Sequence, residues 1–251
     1  MNERHEEIAS AMPSDLDLLP RLRGFRLRGL EMTRLETFID AAFAFAVTMM
    51  IISVDRIPSN VQELLEAFKD VPAFIASIVV LGIFWRGHWL WSRRYGLEDG
   101  TSILISWALI ATIFIYIYPL KVVFGGMWYL LSDRRFGHAM GVQSLGQARA
   151  VFAVYAVGFT AIAFEILLLN LRAWTLRKPL RLNPRERVTT QGELQGWCIP
   201  VGIGLASLFL ALFLPGERIA WSGWVYFSMA ILVPLHARYR RQHIRAAPNN
   251  G

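Results

Sequence analysis

The 251-residue chain is 55% hydrophobic, 13% aromatic and only 18% charged, against about 25% charged in an average soluble domain. With a mean hydropathy of +0.39, this composition excludes a disordered chain and fits an ordinary soluble enzyme poorly. One cysteine, Cys198, excludes an intramolecular disulfide framework and a multi-cysteine metal site, while a formal charge of +7 raises nucleic acid as a partner until the basic residues are placed.

Residues 1–34 are polar and charged, with no apolar stretch ahead of a cleavage site, so no signal peptide is expected. Six segments then reach the roughly 20 apolar residues needed to cross a hydrocarbon core. They are Leu35–Val54, Val71–Trp91, Thr101–Leu120, Ala150–Leu171, Gln195–Leu214 and Ile219–His236. All are too long for core strands, and no alternating barrel pattern appears. Between the first two, Ser59-Asn60-Val61-Gln62 resembles a capping box. It precedes Val61, Leu64, Leu65 and Phe68 at helical spacing, which predicts a short amphipathic helix on the outer surface. Gly125–Gly146 reads as the longest outer loop, and Arg172–Glu193 as an Arg-rich inner loop.

Basic residues set the orientation. One side collects Arg4, Arg21, Arg23, Arg26, Arg28 and Arg34, the pair Arg93 and Arg94, the Arg172–Glu193 loop, and Arg238, Arg240, Arg241 and Arg245 in the tail. The other side holds far fewer. Both termini are therefore predicted cytoplasmic, and an even number of spans agrees. The chain divides into a basic cytoplasmic segment (1–33), a membrane domain (34–236) and a cytoplasmic tail (237–251). The fold class is an all-α integral membrane protein with six transmembrane helices. The basic excess is explained by topology and by contact with anionic lipids on the cytoplasmic face. No folded nucleic-acid-binding module is present.

Four ionisable side chains fall inside the spans: Asp40, Arg86, His88 and Glu165. Each costs roughly 2.5–3.5 kcal/mol on insertion scales and so needs a reason. All four lie toward the cytoplasmic side, and a buried cluster is expected: Asp40 and Glu165 against Arg86, His88 and Arg34. Such a cluster locks helices together or relays protons. On the first span Phe38, Ala41, Phe45, Thr48, Met49 and Ile52 share one stripe. At 100° per residue, Asp40 is about 140° from Phe45 and points into neighbouring helices. The stripe is either a packing face or the lining of a pathway.

Arg34-Leu35-Glu36-Thr37-Phe38-Ile39-Asp40 resembles the Arg-x-x-x-Phe-Ser-Asp signature of the transmembrane protein 175 family of potassium channels. Phe84-Trp85-Arg86-Gly87-His88-Trp89 resembles that family's Phe-Trp-x-x-His-His run on the second helix. The resemblance implies a homotetramer in which four first helices line a central pore. It implies a potassium-permeable cation leak channel in the plasma membrane, with bulky apolar rings in place of a carbonyl-lined filter and with proton permeation as a family property. Phe45 takes the constriction position, followed by Thr48 and Ile52. Arg34, Phe38, Asp40, Trp85 and His88 form the implied helix-packing network. Three positions depart from the pattern: Ile39 replaces the motif serine, Trp89 the second histidine, and Phe45 is larger than the usual Ile or Leu. A bulkier apolar ring raises the dewetting barrier.

Two other functions compete. A proton-coupled secondary transporter would use Asp40, Glu165 and His88. An enzyme is not expected, since neither His-Glu-x-x-His nor Gly-x-Ser-x-Gly occurs, and no cofactor or metal is expected.

Overall fold

The computed structural model describes Leu16 and residues 18–52, 58–138 and 141–246. A minimal hairpin comes first: β1 (Arg21–Leu22) pairs antiparallel with β2 (Phe25–Arg26). Its two turn residues, Arg23 and Gly24, both have positive φ, +53° and +81°. This is what a two-residue hairpin turn needs to match strand twist. Helix α1 (Arg34–Ile52) follows, then the short α2 (Val61–Phe68).

Among the described residues, four helices are long and apolar enough to cross a membrane: α3 (Val71–Tyr95), α4 (Gly100–Leu131), α5 (Leu145–Thr175) and α6 (Pro184–Phe213). The last part of the chain is segmented. A 3₁₀ turn (Gly216–Arg218) leads to α7 (Trp221–Trp224), a second 3₁₀ turn (Val225–Ser228) and α8 (Met229–Ala246). The sixth expected span, Ile219–His236, is therefore a run of short helical pieces ending inside α8. The expected tail boundary at residue 237 also falls within that helix.

Local signals explain where the elements differ from the sequence expectations. Helix α2 is capped by Asn60, whose side chain accepts the Glu63 N–H at 2.9 Å. Glu63 reaches back to the Ser59 N–H and hydroxyl, both at 2.8 Å. The working cap is one residue later than the expected Ser59–Gln62 pair, and the Ser59 hydrogen bonds hold the Glu63 carboxyl below its ordinary range. Helix α4 continues to Leu131, so the first part of the expected outer loop is helical. Helix α6 starts at Pro184, which takes the last ten of the 22 residues of the expected inner loop into a helix. Asn183 and Glu186 form a reciprocal capping box around that start, with Pro184 where a missing N–H costs nothing.

The apolar core lies where α5 packs along α4 and α6, with α1 laid against α4 and α3. Ile39, Phe43 and Ala46 of α1 meet Leu109, Ile113 and Ile117 of α4, with Phe84 and Phe159 closing the layer. A smaller cluster at the basic end joins Phe25 to Trp91, Tyr95, Leu169 and Leu180. There the chain passes very close to the end of α3. Gly96 terminates α3 at φ +58°, and a Cβ there would lie 3.0 Å from the Arg28 backbone. Gly96→Ala is expected to lower stability by about 1–2 kcal/mol through left-handed strain alone. Gly82→Ala, in open space on the same helix, should lose nothing. Thermal midpoints of the two variants in detergent check this.

Candidate functional site

Helix α1 has two unlike faces. Ile39, Phe43, Ala46 and Met50 are buried at 0–5% exposure. Phe38, Ala41, Ala44, Phe45 and Thr48 lie exposed on the opposite stripe, with Phe45 at 54%. That spacing of three and four residues is one continuous helix face, and an apolar face left bare by its own chain marks a surface built for contact. Phe45 stands edge-on to Phe114, with ring centroids 5.7 Å apart. Phe38 lies against Trp107 at 5.3 Å. The Thr48 hydroxyl donates to the Ala44 carbonyl at 3.0 Å, which leaves its oxygen lone pairs facing outward. Ile52 closes the helix, and its side chain lies outside the described residues.

The intramembrane polar residues do not gather into one cluster. Asp40 accepts the Trp85 indole N–H at 2.8 Å. Among the described residues no ion pair joins it to Arg34, which is exposed at the start of α1. His88 is buried, with Nε2 3.1 Å from the Ser106 hydroxyl and its ring tilted over Trp91. Glu165 accepts the Thr112 hydroxyl at 2.7 Å. Arg86 is exposed and lines a separate cavity beside Arg94 and Glu193. The expected meeting of Asp40 and Glu165 with Arg86, His88 and Arg34 is thus corrected to separate local contacts. The reason is helical: residues two apart point to nearly opposite sides, so His88 and Arg86 cannot share a partner. Each carboxylate takes a neutral donor from the adjoining helix instead.

Two departures from the resembled motifs fit their surroundings. Ile39 has no exposed surface and sits in the apolar core, where a hydroxyl would need a partner. Trp89 stacks one turn from Trp85, at 6.4 Å.

The principal charge network lies at the basic end, and sequence reasoning missed it. Glu186 is fully buried and binds Arg28 at 2.9 Å and Arg26 at 3.0 Å. It also accepts the Arg26 backbone N–H at 2.9 Å. Burial lowers the Arg28 guanidinium pKa, and the Glu186 carboxylate opposes that loss. Glu193 takes Arg94 and Arg240, both at 2.6 Å. Arg93 reaches Glu36 at 3.3 Å, and Arg172 reaches Asp99 at 2.9 Å. The available signal was the Asn183-Pro184-x-Glu186 helix start, hidden inside a segment read as a loop. Among the described residues no group of His, Cys, Asp and Glu could hold a metal.

This arrangement of long apolar helices, with a bare apolar face on α1, is an all-helical membrane-channel fold. It matches the crystal structure of a threonine-to-alanine variant of the potassium channel MtTMEM175, solved with a nanobody–MBP fusion. The TM-score is 0.76 at 25% identity, over 90% of this chain and 100% of that one. A lysosomal potassium-selective channel TMEM175 homolog from Chamaesiphon minutus shares the fold, with a TM-score of 0.56 at 21% identity over 80% and 95% of the two chains. A potassium channel of Marivirga tractuosa is 29% identical over 215 residues, covering 81% of this chain and 85% of its own. The model of the family described as endosomal/lysosomal potassium channel TMEM175 matches residues 34–119. The chain is similar to TMEM175 potassium channels in sequence and in fold.

Removing the buried carboxylate in Glu186→Ala is expected to cost about 3–5 kcal/mol, because two guanidinium groups stay buried without a counter-ion. Glu66→Ala breaks only the exposed pair with Lys69 and should change stability by less than about 1 kcal/mol. Thermal or denaturant unfolding of the purified variants compares the two.

Proposed function

We propose that this chain forms a potassium-permeable cation leak channel in the plasma membrane. It assembles as a homotetramer in which four copies of α1 surround a central pore, with six spans per chain and both termini in the cytoplasm. The carrying observation is the face of α1. Phe38, Ala41, Phe45 and Thr48 form a stripe that the described residues leave largely exposed, while the opposite face is locked into the core. Likeness to one solved potassium channel over nine-tenths of the chain supports the same reading.

In this arrangement Phe45 forms the narrowest ring, with Thr48 one turn and Ile52 two turns further along α1. A ring of phenyl groups gates by excluding water, and a dehydrated ion pays to enter it. Thr48 offers only acceptor lone pairs to the axis, which favours a cation. Proton permeation is included in the proposal, as is contact of the basic end with anionic lipids. Arg34, Phe38, Asp40, Trp85 and His88 act in packing. The transporter reading needs Asp40, His88 and Glu165 to exchange protons, and their separate partners do not favour it.

Reconstituted protein should pass potassium down its gradient in a liposome flux assay. Phe45→Ala should raise the single-channel conductance, and an unchanged current would remove Phe45 from the pore. Asp40→Asn should impair tetramer assembly on size-exclusion chromatography. Normal tetramers without current would instead place Asp40 in the conduction step.

A further inference from the structure

A strongly basic cavity lies between α3, α6, α8 and the hairpin turn, and none of its lining residues belongs to α1. It has a volume of about 260 Å³. Arg86 and Arg94 of α3, Arg240 of α8 and Arg23 of the hairpin turn line it, together with a single acid, Glu193. Four guanidinium groups against one carboxylate leave the cavity strongly positive. Ile83, one turn deeper than Arg86, adds an apolar wall.

The arginines are not balanced by the protein. Arg94 and Arg240 share one oxygen of Glu193. Their Nε atoms are buried and have no acceptor among the described residues. The Arg94 side chain is only 7% exposed, so these donors are expensive to leave unmet. Arg23 and Arg86 make no ion pair among the described residues. Arg86 lies nine residues before the end of α3, about 14 Å along the helix axis. An arginine at that depth in an apolar helix requires a partner. Arg23 sits at the tip of the hairpin with φ +53°, a conformation uncommon outside glycine and asparagine. The hairpin accepts that conformation while presenting a fourth guanidinium to the same space.

We infer that this cavity binds a phosphate group, held by Arg23, Arg86, Arg94 and Arg240. Arginine is the side chain best matched to phosphate, because its planar fork offers paired N–H donors. The volume admits a phosphate with a small headgroup, not a whole lipid. A lipid phosphate would enter from the basic end and leave its acyl chains along Ile83 outside the cavity. A free inorganic phosphate or pyrophosphate offers the same chemistry without chains.

The test is binding to the full-length protein in detergent, read as thermal stabilisation, and it does not depend on conduction. One arm titrates dioleoyl phosphatidate, with dioleoyl phosphatidylcholine as the zwitterionic control. The other titrates inorganic phosphate and pyrophosphate. Stabilisation by either anion, with affinity reduced about tenfold or more by Arg23→Gln with Arg86→Gln, is expected; such a loss corresponds to one or more strong charged contacts. A response to phosphatidate alone identifies a lipid source, and a response to pyrophosphate identifies a soluble one. These two positions are chosen because neither supports the Glu193 pairs, so the variant should fold. Arg238→Gln, at the same end of the molecule and outside the cavity, should retain full binding. Equal loss in Arg238→Gln would reduce the effect to surface charge and overturn the site. Absence of stabilisation by any anion would overturn it as well. Dissociation of the assembly by Arg86→Gln would assign Arg86 to a subunit contact and overturn it too.

Discussion

A carboxylate without exposed surface organises the basic end of this molecule. Glu186 takes the guanidinium groups of Arg26 and Arg28, the backbone N–H of Arg26 and the backbone N–H of Asn183. Burying three charges is costly, and only complete hydrogen bonding offsets it. Here one side chain does two jobs: it completes the cap of α6 and anchors the segment that leads into α1. Because the anchor is charged and dry, the segment has one position instead of many.

That position decides how α1 enters the bundle. After Arg28 the chain passes against the end of α3, where the Gly29 N–H donates to the Arg93 carbonyl at 3.1 Å. A Cβ on Gly29 would strike the Ser92 carbonyl, and one on Gly96 would crowd Arg28. Two glycines thus allow a backbone-to-backbone approach that side chains would prevent. Arg93 also donates to the Gly29 and Leu30 carbonyls and faces Glu36 in the first turn of α1. With its start held from several directions, α1 has a fixed rotation. Ile39 and Phe43 turn into the core, and Phe38 and Phe45 turn out.

The long apolar helices were legible because hydropathy and length are properties of the chain alone. Helix ends were less so. The 172–193 segment looked like a loop because its charges mask periodicity, yet Asn183, Pro184 and Glu186 together write a helix start. The N-terminal hairpin was illegible for a different reason. Phe25, Arg26 and Arg28 have no meaning until Glu186 and Tyr95, far along the chain, are brought beside them. The α1 stripe could be drawn from spacing, since i, i+3 and i+4 relations survive any tertiary arrangement. Pairing between the intramembrane charges could not. It depends on helix rotation, and the partners chosen were an indole, a serine and a threonine, none of which a charge count singles out.

The use of neutral donors has a consequence for the membrane-facing chemistry. An ion pair between Asp40 and a buried arginine would put two costly charges into the bundle, each a liability if the other moved. Asp40 on the Trp85 indole and Glu165 on the Thr112 hydroxyl avoid a second buried charge. The arginines are gathered instead at the end of the bundle, around Glu186 and Glu193, where their stems cross apolar surface and their heads reach polar groups. Full charges therefore hold the frame at one end, while the exposed α1 stripe from Phe38 to Thr48 carries apolar groups and the Thr48 oxygen.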